Sequence, residues 1–242
     1  MLIPKKSLSQ NFLLDKNICK KIINFANIKN EIIIEIGPGT GQLTQEILTQ
    51  NPKKLILIEK DYNLCKLLIE KFSSYKNIEI INQDALKYVY IKNKKINIIS
   101  NLPFNISLKI IMHFLKNFRN INQLIFMLQK EVAKKLDKKS KKNKFNFFIE
   151  FVSDYKILFH ISKKVFYPKP KVESSVISIK PKNINIDFKK LKYFNKKIFK
   201  NKRKKIKNII SFKERNKKID TILNKRAEEL KISELEYLFN KF

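Results

Sequence analysis

The sequence predicts an α/β fold: a mainly parallel sheet covered by helices, an antiparallel edge, and a small helical appendage at the C-terminus. Three observations carry this. Short β-branched runs alternate with amphipathic stretches through the first two thirds of the chain, the pattern of successive βαβ units. The runs are apolar almost throughout, as strands buried on both faces must be. The chain's 3 glycines, Gly37, Gly39 and Gly41, all fall directly after the first such run, where a strand-to-helix turn of this fold holds its ligand.

The elements follow in order. Residues 31–36, 54–59, 78–82, 96–100 and 123–128 read as buried strands, with helical patterns such as 43–48 and 64–72 between them. Two further extended runs, 155–161 and 173–179, are separated by Tyr167-Pro168-Lys169-Pro170, which reads as a connecting loop, so these two could add the antiparallel edge. Residues 137–144 form a lysine-rich exposed loop, either a solvated run without a partner or an RNA contact. Composition shifts after Lys180-Pro181-Lys182, and no acidic residue occurs between Asp187 and Glu214. We therefore expect one domain over 1–182 and a small basic helical domain over 183–242. Ser233 followed by Glu236 marks a capping box at the start of the last helix, ahead of Leu235, Leu238 and Phe239.

Composition narrows the class of function. With 43% hydrophobic residues the chain can build a core, which excludes wholesale disorder in spite of a net charge of +32. No apolar run is long enough to span a bilayer and the N-terminus lacks a secretory h-region, so a cytoplasmic protein without membrane contact is expected. Cys19 and Cys65 lie far apart in apolar helical surroundings, so they read as core thiols, and no metal site is expected. The charge is nearly all lysine, beside abundant Ile and Asn, as an AT-rich genome would write it. Whatever its origin, a field of that sign attracts polyanions, of which nucleic acid is the commonest.

The site chemistry starts at Glu35-Ile36-Gly37-Pro38-Gly39-Thr40-Gly41. A tight turn of unusual φ without Cβ lets a ligand lie against the backbone at the head of a helix. A dinucleotide fingerprint wants glycine at position 42, where Gln42 stands, so the pattern is GxGxG rather than GxGxxG. That form, preceded by an acidic residue, resembles motif I of the S-adenosylmethionine-dependent methyltransferases. Glu59 ends the second strand, where an ionised carboxylate suits the two hydroxyls of a ribose, although a plain strand-end glutamate would look the same. Asp84 follows the third strand, placed to accept from an adenine amine. The fourth strand ends in Asn101-Leu102-Pro103-Phe104. An Asn side-chain oxygen and a backbone carbonyl accepting both N–H bonds of an aromatic amine would draw that poor nucleophile toward tetrahedral geometry, while Phe104 stacks on the ring. The alternative for this segment is a strand-to-helix turn with Pro103 and Ser107 as N-cap.

Together these segments resemble the small-subunit ribosomal RNA adenine N6-dimethyltransferase family, over almost the whole chain. The match also includes Ser9-Gln10-Asn11-Phe12-Leu13, the stretch from Met127 to Ala133, Phe166-Tyr167-Pro168-Lys169-Pro170-Lys171-Val172-Glu173-Ser174-Ser175-Val176 and Lys225-Arg226-Ala227-Glu228-Glu229-Leu230. The resemblance implies a Rossmann-like class I methyltransferase domain and dimethylation of two adjacent adenosines in a hairpin loop near the 3′ end of small-subunit ribosomal RNA. The substrate would be presented on a 30S-type particle, and the protein would act as a monomer in ribosome biogenesis. Carried over, contacts to S-adenosylmethionine fall on Asn11, Leu13, Gly37, Glu59, Asp84 and Asn101. Asn101, Leu102, Pro103 and Phe104 would form the catalytic segment, with Leu102 lending its carbonyl and Phe104 and Phe166 sandwiching a flipped base. Gln10 would order the cofactor lid. This chain departs from the family at Ser9 and Phe104, where the family has Gly and Tyr, and at Ile161-Ser162-Lys163-Lys164; Asn143 stands where positive φ is expected. The open rivals are a large-subunit adenine methyltransferase of the macrolide-resistance type and an RNA binder without catalysis.

Overall fold

The computed structural model describes residues 4–5, 10–89, 94–201, 203–212 and 216–242; Ser9 lies outside them. Its centre is a seven-stranded sheet in the order β4-β3-β2-β5-β6-β9-β7. The members are β2 (Ile32–Ile36), β3 (Lys54–Glu59), β4 (Ile78–Asn82), β5 (Ile96–Asn101), β6 (Ile121–Gln129), β7 (Ser153–Ile161) and β9 (Ser174–Pro181). The first five run parallel, and β9 joins β6 antiparallel, pairing Met127 with Val176. The expected α/β architecture with an antiparallel edge is what the chain adopts. Strands β2 and β3 are apolar for the reason the sequence suggests, with Ile33, Ile34 and Ile36 of β2 and Leu55 to Ile58 of β3 all buried. Strand β4, expected to be buried, is instead an edge of the sheet and has no buried residue, because one side of it has no neighbouring strand.

Helices α1 (Lys16–Ile23), α2 (Gln42–Leu48), α3 (Tyr62–Lys71) and α4 (Ser107–Leu115) belong with the sheet. Asp15 and Asp61 cap α1 and α3 by accepting backbone N–H bonds. The chain leaves β2 outward through β3 and β4, then crosses back to β5 on the other side of β2. That reversal opens a crevice at the C-terminal ends of β2 and β5, where open α/β sheets bind ligands.

The chain divides into two compact units, Met1–Ala133 with Lys156–Pro181, and Lys134–Tyr155 with Lys182–Phe242. The boundary therefore differs from a single cut after residue 182. The reason is aromatic packing: α6 (Lys144–Val152) sends Phe147 and Phe151 against Phe194, Phe199 and Phe239 of α7 (Phe188–Phe199) and α9 (Ile232–Lys241). Helix α8 (Lys217–Leu223) completes the helical C-terminal region.

Several local expectations are corrected. Tyr167 is not simply loop, because β8 (Phe166–Tyr167) pairs antiparallel with β1 (Phe12–Leu13), and the Tyr167–Pro168 peptide is cis. Asn143 has φ −146°, not positive; it is the N-cap of α6, exchanging side-chain bonds with Asn146. Lys142, inside the run expected to be exposed, is largely buried against Glu150. Helix α9 starts two residues early: Glu234, not Glu236, accepts the backbone N–H of its cap, Lys231 (2.8 Å), while also holding Lys225 at 2.6 Å. Ser107 lies inside α4, and its hydroxyl donates to the Phe104 carbonyl at 3.3 Å.

Candidate active site

One cleft gathers the glycine turn, the ends of β3 and β5, the segment after β4, and the N-terminal stretch from Gln10 to Leu13. The turn is built by the glycines' φ values of +62°, +60° and +79° at Gly37, Gly39 and Gly41. At Gly39 a second constraint applies, since a Cβ there would lie 2.9 Å from the ring of Phe12. The Gly41 N–H closes the turn onto the Pro38 carbonyl at 2.9 Å, and Lys71 ties the Thr40 carbonyl at the same distance.

Two buried carboxylates stand behind this turn. Glu59, 6% exposed, accepts the Gly39 N–H (3.3 Å) and the Asp61 N–H (2.9 Å), so it both braces the turn and faces the cleft. Burial pushes its carboxyl up, against those two donors. Glu35, 1% exposed, accepts the Thr44 hydroxyl at 2.7 Å. Burial, with the charge of Glu59 adding to it, pushes its carboxyl from 4.5 up to about 8. A carboxyl raised on folding stabilises the fold fully below its unfolded value, and that contribution is lost as pH rises through the folded value. Stability to urea should therefore fall between pH 5 and pH 9, and Glu35→Gln should flatten that fall; an equally steep loss in the variant would remove the assignment.

Asp84 is placed as expected, on the cleft after β4. It is not idle: it accepts the Leu86 N–H and the Lys60 ammonium, each at 3.0 Å, which hold its carboxyl below the usual range. Any amine it takes must share it with Lys60. Asn101 ends β5 opposite Met127 and donates its Nδ2 to the Asn11 carbonyl at 2.9 Å, a contact across 90 residues. That bond orients the amide, so Oδ1 is the atom left to accept. Leu102 has its N–H held by the Met127 carbonyl at 3.0 Å, and Pro103 closes a turn onto the Ile106 N–H, with Phe104 half-buried at the cleft between them.

Among the residues expected from sequence, Asn11, Leu13, Gly37, Glu59, Asp84, Asn101, Leu102, Pro103 and Phe104 share this cleft. Phe166 does not line it. It is 4% exposed and packs in the core with Leu13, its partner across β1 and β8. The sequence reading missed Asp61, whose side chain accepts Lys5 at 2.8 Å and Gln10 at 3.1 Å. An Asp at the N-cap position two residues past Glu59 was the available signal. Cys19 and Cys65, expected as core thiols, are buried free thiols, Cys19 pushed up to about 12 chiefly by burial; His113 and His160 bond to the Tyr88 carbonyl and the Ser175 hydroxyl.

The residues present fit S-adenosylmethionine: a turn of positive-φ glycines leaves backbone open to a ligand, and the carboxylates of Glu59 and Asp84 on the same cleft are able to accept from hydroxyl and amine groups. Among the described residues no helix is long and apolar enough to cross a membrane. Comparison with known proteins agrees. The family model "Ribosomal RNA adenine dimethylase" matches residues 2–240. A ribosomal RNA small subunit methyltransferase A of Sulfurihydrogenibium sp. is 42% identical over 193 residues, covering 76% of this chain and 75% of that protein. The protein of the same name from Francisella tularensis is 39% identical over 188 residues, 74% of this chain and 71% of that one. In fold, the chain is similar to a dimethyladenosine transferase from Plasmodium falciparum (TM-score 0.80, 24% identity, 95% of this chain and 98% of that one). It is similar also to the 23S rRNA methyltransferase ErmE (TM-score 0.78, 20% identity, with the same coverages). A match over nearly every residue, on a Rossmann-like methyltransferase fold whose cleft suits the sulfonium cofactor, places this chain in the ribosomal RNA adenine dimethylase family, enzymes that use S-adenosylmethionine.

Proposed function

We propose that this enzyme places two methyl groups on N6 of each of two adjacent adenosines in the hairpin loop near the 3′ end of small-subunit ribosomal RNA, working on a 30S-type particle and on a flipped-out base. The observation that carries the chemistry is the amide of Asn101, whose nitrogen is committed to the Asn11 carbonyl while its oxygen stands ready to accept. Oδ1 of Asn101 and the carbonyl of Leu102 take the two N–H bonds of the target amine. This draws its lone pair out of conjugation with the ring and holds it in line for attack. Phe104 stacks on the purine and lacks only the hydroxyl of a tyrosine, so its role survives as a stacking face. S-adenosylmethionine, when bound, supplies an electrophilic methyl on a sulfonium. Glu59 holds the ribose hydroxyls, Asp84 the adenine amine, and Asn11, Leu13 and Gly37 the body of the ligand. The amine proton is lost from a cationic nitrogen of low pKa, so no strong base is needed in the cleft.

The small subunit is favoured over the large by relatives that bear the small-subunit name at 39–42% identity, whereas the likeness to ErmE is one of fold. Lysines such as Lys138, Lys139 and Lys141, exposed on the loop before α6, supply phosphate contacts, so binding weakens steeply with salt. The test is radiolabel transfer from S-adenosylmethionine to under-methylated 30S-type particles, followed by nucleoside analysis. Label recovered as N6,N6-dimethyladenosine from small-subunit RNA is the expected result; label confined to large-subunit RNA overturns the proposal.

A further inference from the structure

Asp61 makes contacts in two directions. Its backbone N–H donates to Oε1 of Glu59 at 2.9 Å, while Oε2 of the same glutamate takes the Gly39 N–H. Its side chain, on a residue 5% exposed, accepts Lys5 Nζ on Oδ1 (2.8 Å) and Gln10 Nε2 on Oδ2 (3.1 Å). Oδ1 also caps α3 through the Asn63 N–H at 3.1 Å. Gln10 is in turn fixed at its other end, since its Oε1 accepts the Lys5 backbone N–H at 2.7 Å. Beyond Gln10 the chain runs into Asn11, whose carbonyl holds Asn101, and Phe12, whose ring abuts Gly39. Burial alone would raise the Asp61 carboxyl, but the bonds from Lys5, Gln10 and Asn63 outweigh it and hold it below the usual range, so it is ionised throughout the working pH range.

We infer that Asp61 is a positioning residue: one buried carboxylate seats the Gln10–Phe12 backbone on the cofactor cleft while its own N–H aims Glu59 at the ribose. Neither role requires Asp61 to touch the ligand. The physical case is one of pre-organisation. The stretch that begins at Gln10 and Asn11 pairs with β8 through the two residues of β1, and a charge-assisted anchor at Asp61 adds to that pairing and to the Asn101 bond, lowering the entropy lost when the ligand binds. By way of Asn11, the same anchor reaches the amide of Asn101, linking cofactor retention to the orientation of the catalytic acceptor. The inference rests on the cleft holding S-adenosylmethionine.

The test uses Asp61→Ser, which keeps a capping oxygen for α3 but is too short to reach Lys5 and Gln10. Binding of S-adenosylhomocysteine by titration calorimetry should weaken about tenfold in Asp61→Ser and comparably in Gln10→Ala. The double variant should be no weaker than Asp61→Ser alone, because both remove one linkage. In the ligand-free protein, amide exchange at Phe12 and Leu13 should accelerate in both single variants, with exchange in β3 unchanged. A merely structural role would lower the melting temperature without that selective change. Wild-type affinity in Asp61→Ser, or additive losses in the double variant, overturns the inference. Failure of the wild-type protein itself to bind S-adenosylhomocysteine would instead sink the cofactor assignment on which it rests.

Discussion

Asn101→Ala is expected to lower the single-turnover rate of methyl transfer by a factor on the order of a hundred to a thousand, the usual cost of removing a donor or acceptor aimed at developing charge. Two losses combine in it. Under the proposed mechanism the target amine would lose the Oδ1 that draws its lone pair from the ring, and the Asn11 carbonyl loses the Nδ2 donor that it accepts from in the folded protein. The first loss acts on the chemical step and the second on affinity for the cofactor, so both kcat and cofactor KM should worsen, kcat by far the more. Binding to under-methylated particles should be unchanged, since phosphate contacts elsewhere supply it. Rapid-quench measurement of one turnover, with particle binding by filtration alongside, separates these; transfer at the wild-type rate would remove Asn101 from the catalytic role.

Glu59→Ala should weaken S-adenosylhomocysteine binding on the order of a hundredfold, since about 2.7 kcal/mol corresponds to that ratio and charge-assisted hydrogen bonds to a diol are of this size. The variant also leaves the N–H groups of Gly39 and Asp61 without their acceptor, so the turn itself loosens. Glu59→Gln keeps one carbonyl oxygen and should lose roughly tenfold. Calorimetry on the two variants gives the ordering, and equal affinities across all three proteins would show that the diol is held elsewhere.

These two residues differ in how they could be found. Glu59 was legible because strand periodicity ends at it and its 20-residue spacing from Gly39 is set by the length of one βα unit. The glycine turn was legible because positive φ at three nearby positions is a local demand that only one residue type meets without strain. Asn101 was legible as an acceptor, yet which of its two amide atoms is free to accept follows only from a partner 90 residues away. Asp84 was placed on the cleft by its strand, whereas its sharing with Lys60 depends on the side-by-side ends of β3 and β4. The same holds where expectation and structure part. Positive φ at Asn143 gave way to a capping role because Asn146 lies in reach, and at the start of α9 Lys231 with Glu234 takes the place expected for Ser233 with Glu236, the Glu234 carboxylate being held by Lys225 as well. Phe166 sits in the core because β8 is short and pairs with β1, which turns Leu13 and Phe166 to the same interior.

What the amino-acid order determined unaided was the succession of strands and helices, the turn that three glycines permit, and the acidic and amide residues at strand ends, because each depends on periodicity, steric freedom or spacing along one short segment. What only the folded chain decided was which polar atoms are already spent. The pairing of β1 with β8, the anchoring of Gln10 by Asp61 and the joining of residues 134–155 to the C-terminal helices all bring together groups far apart in sequence. Hydrogen bonds and packing are short-ranged in space and indifferent to separation along the chain, so their partners are chosen by tertiary proximity.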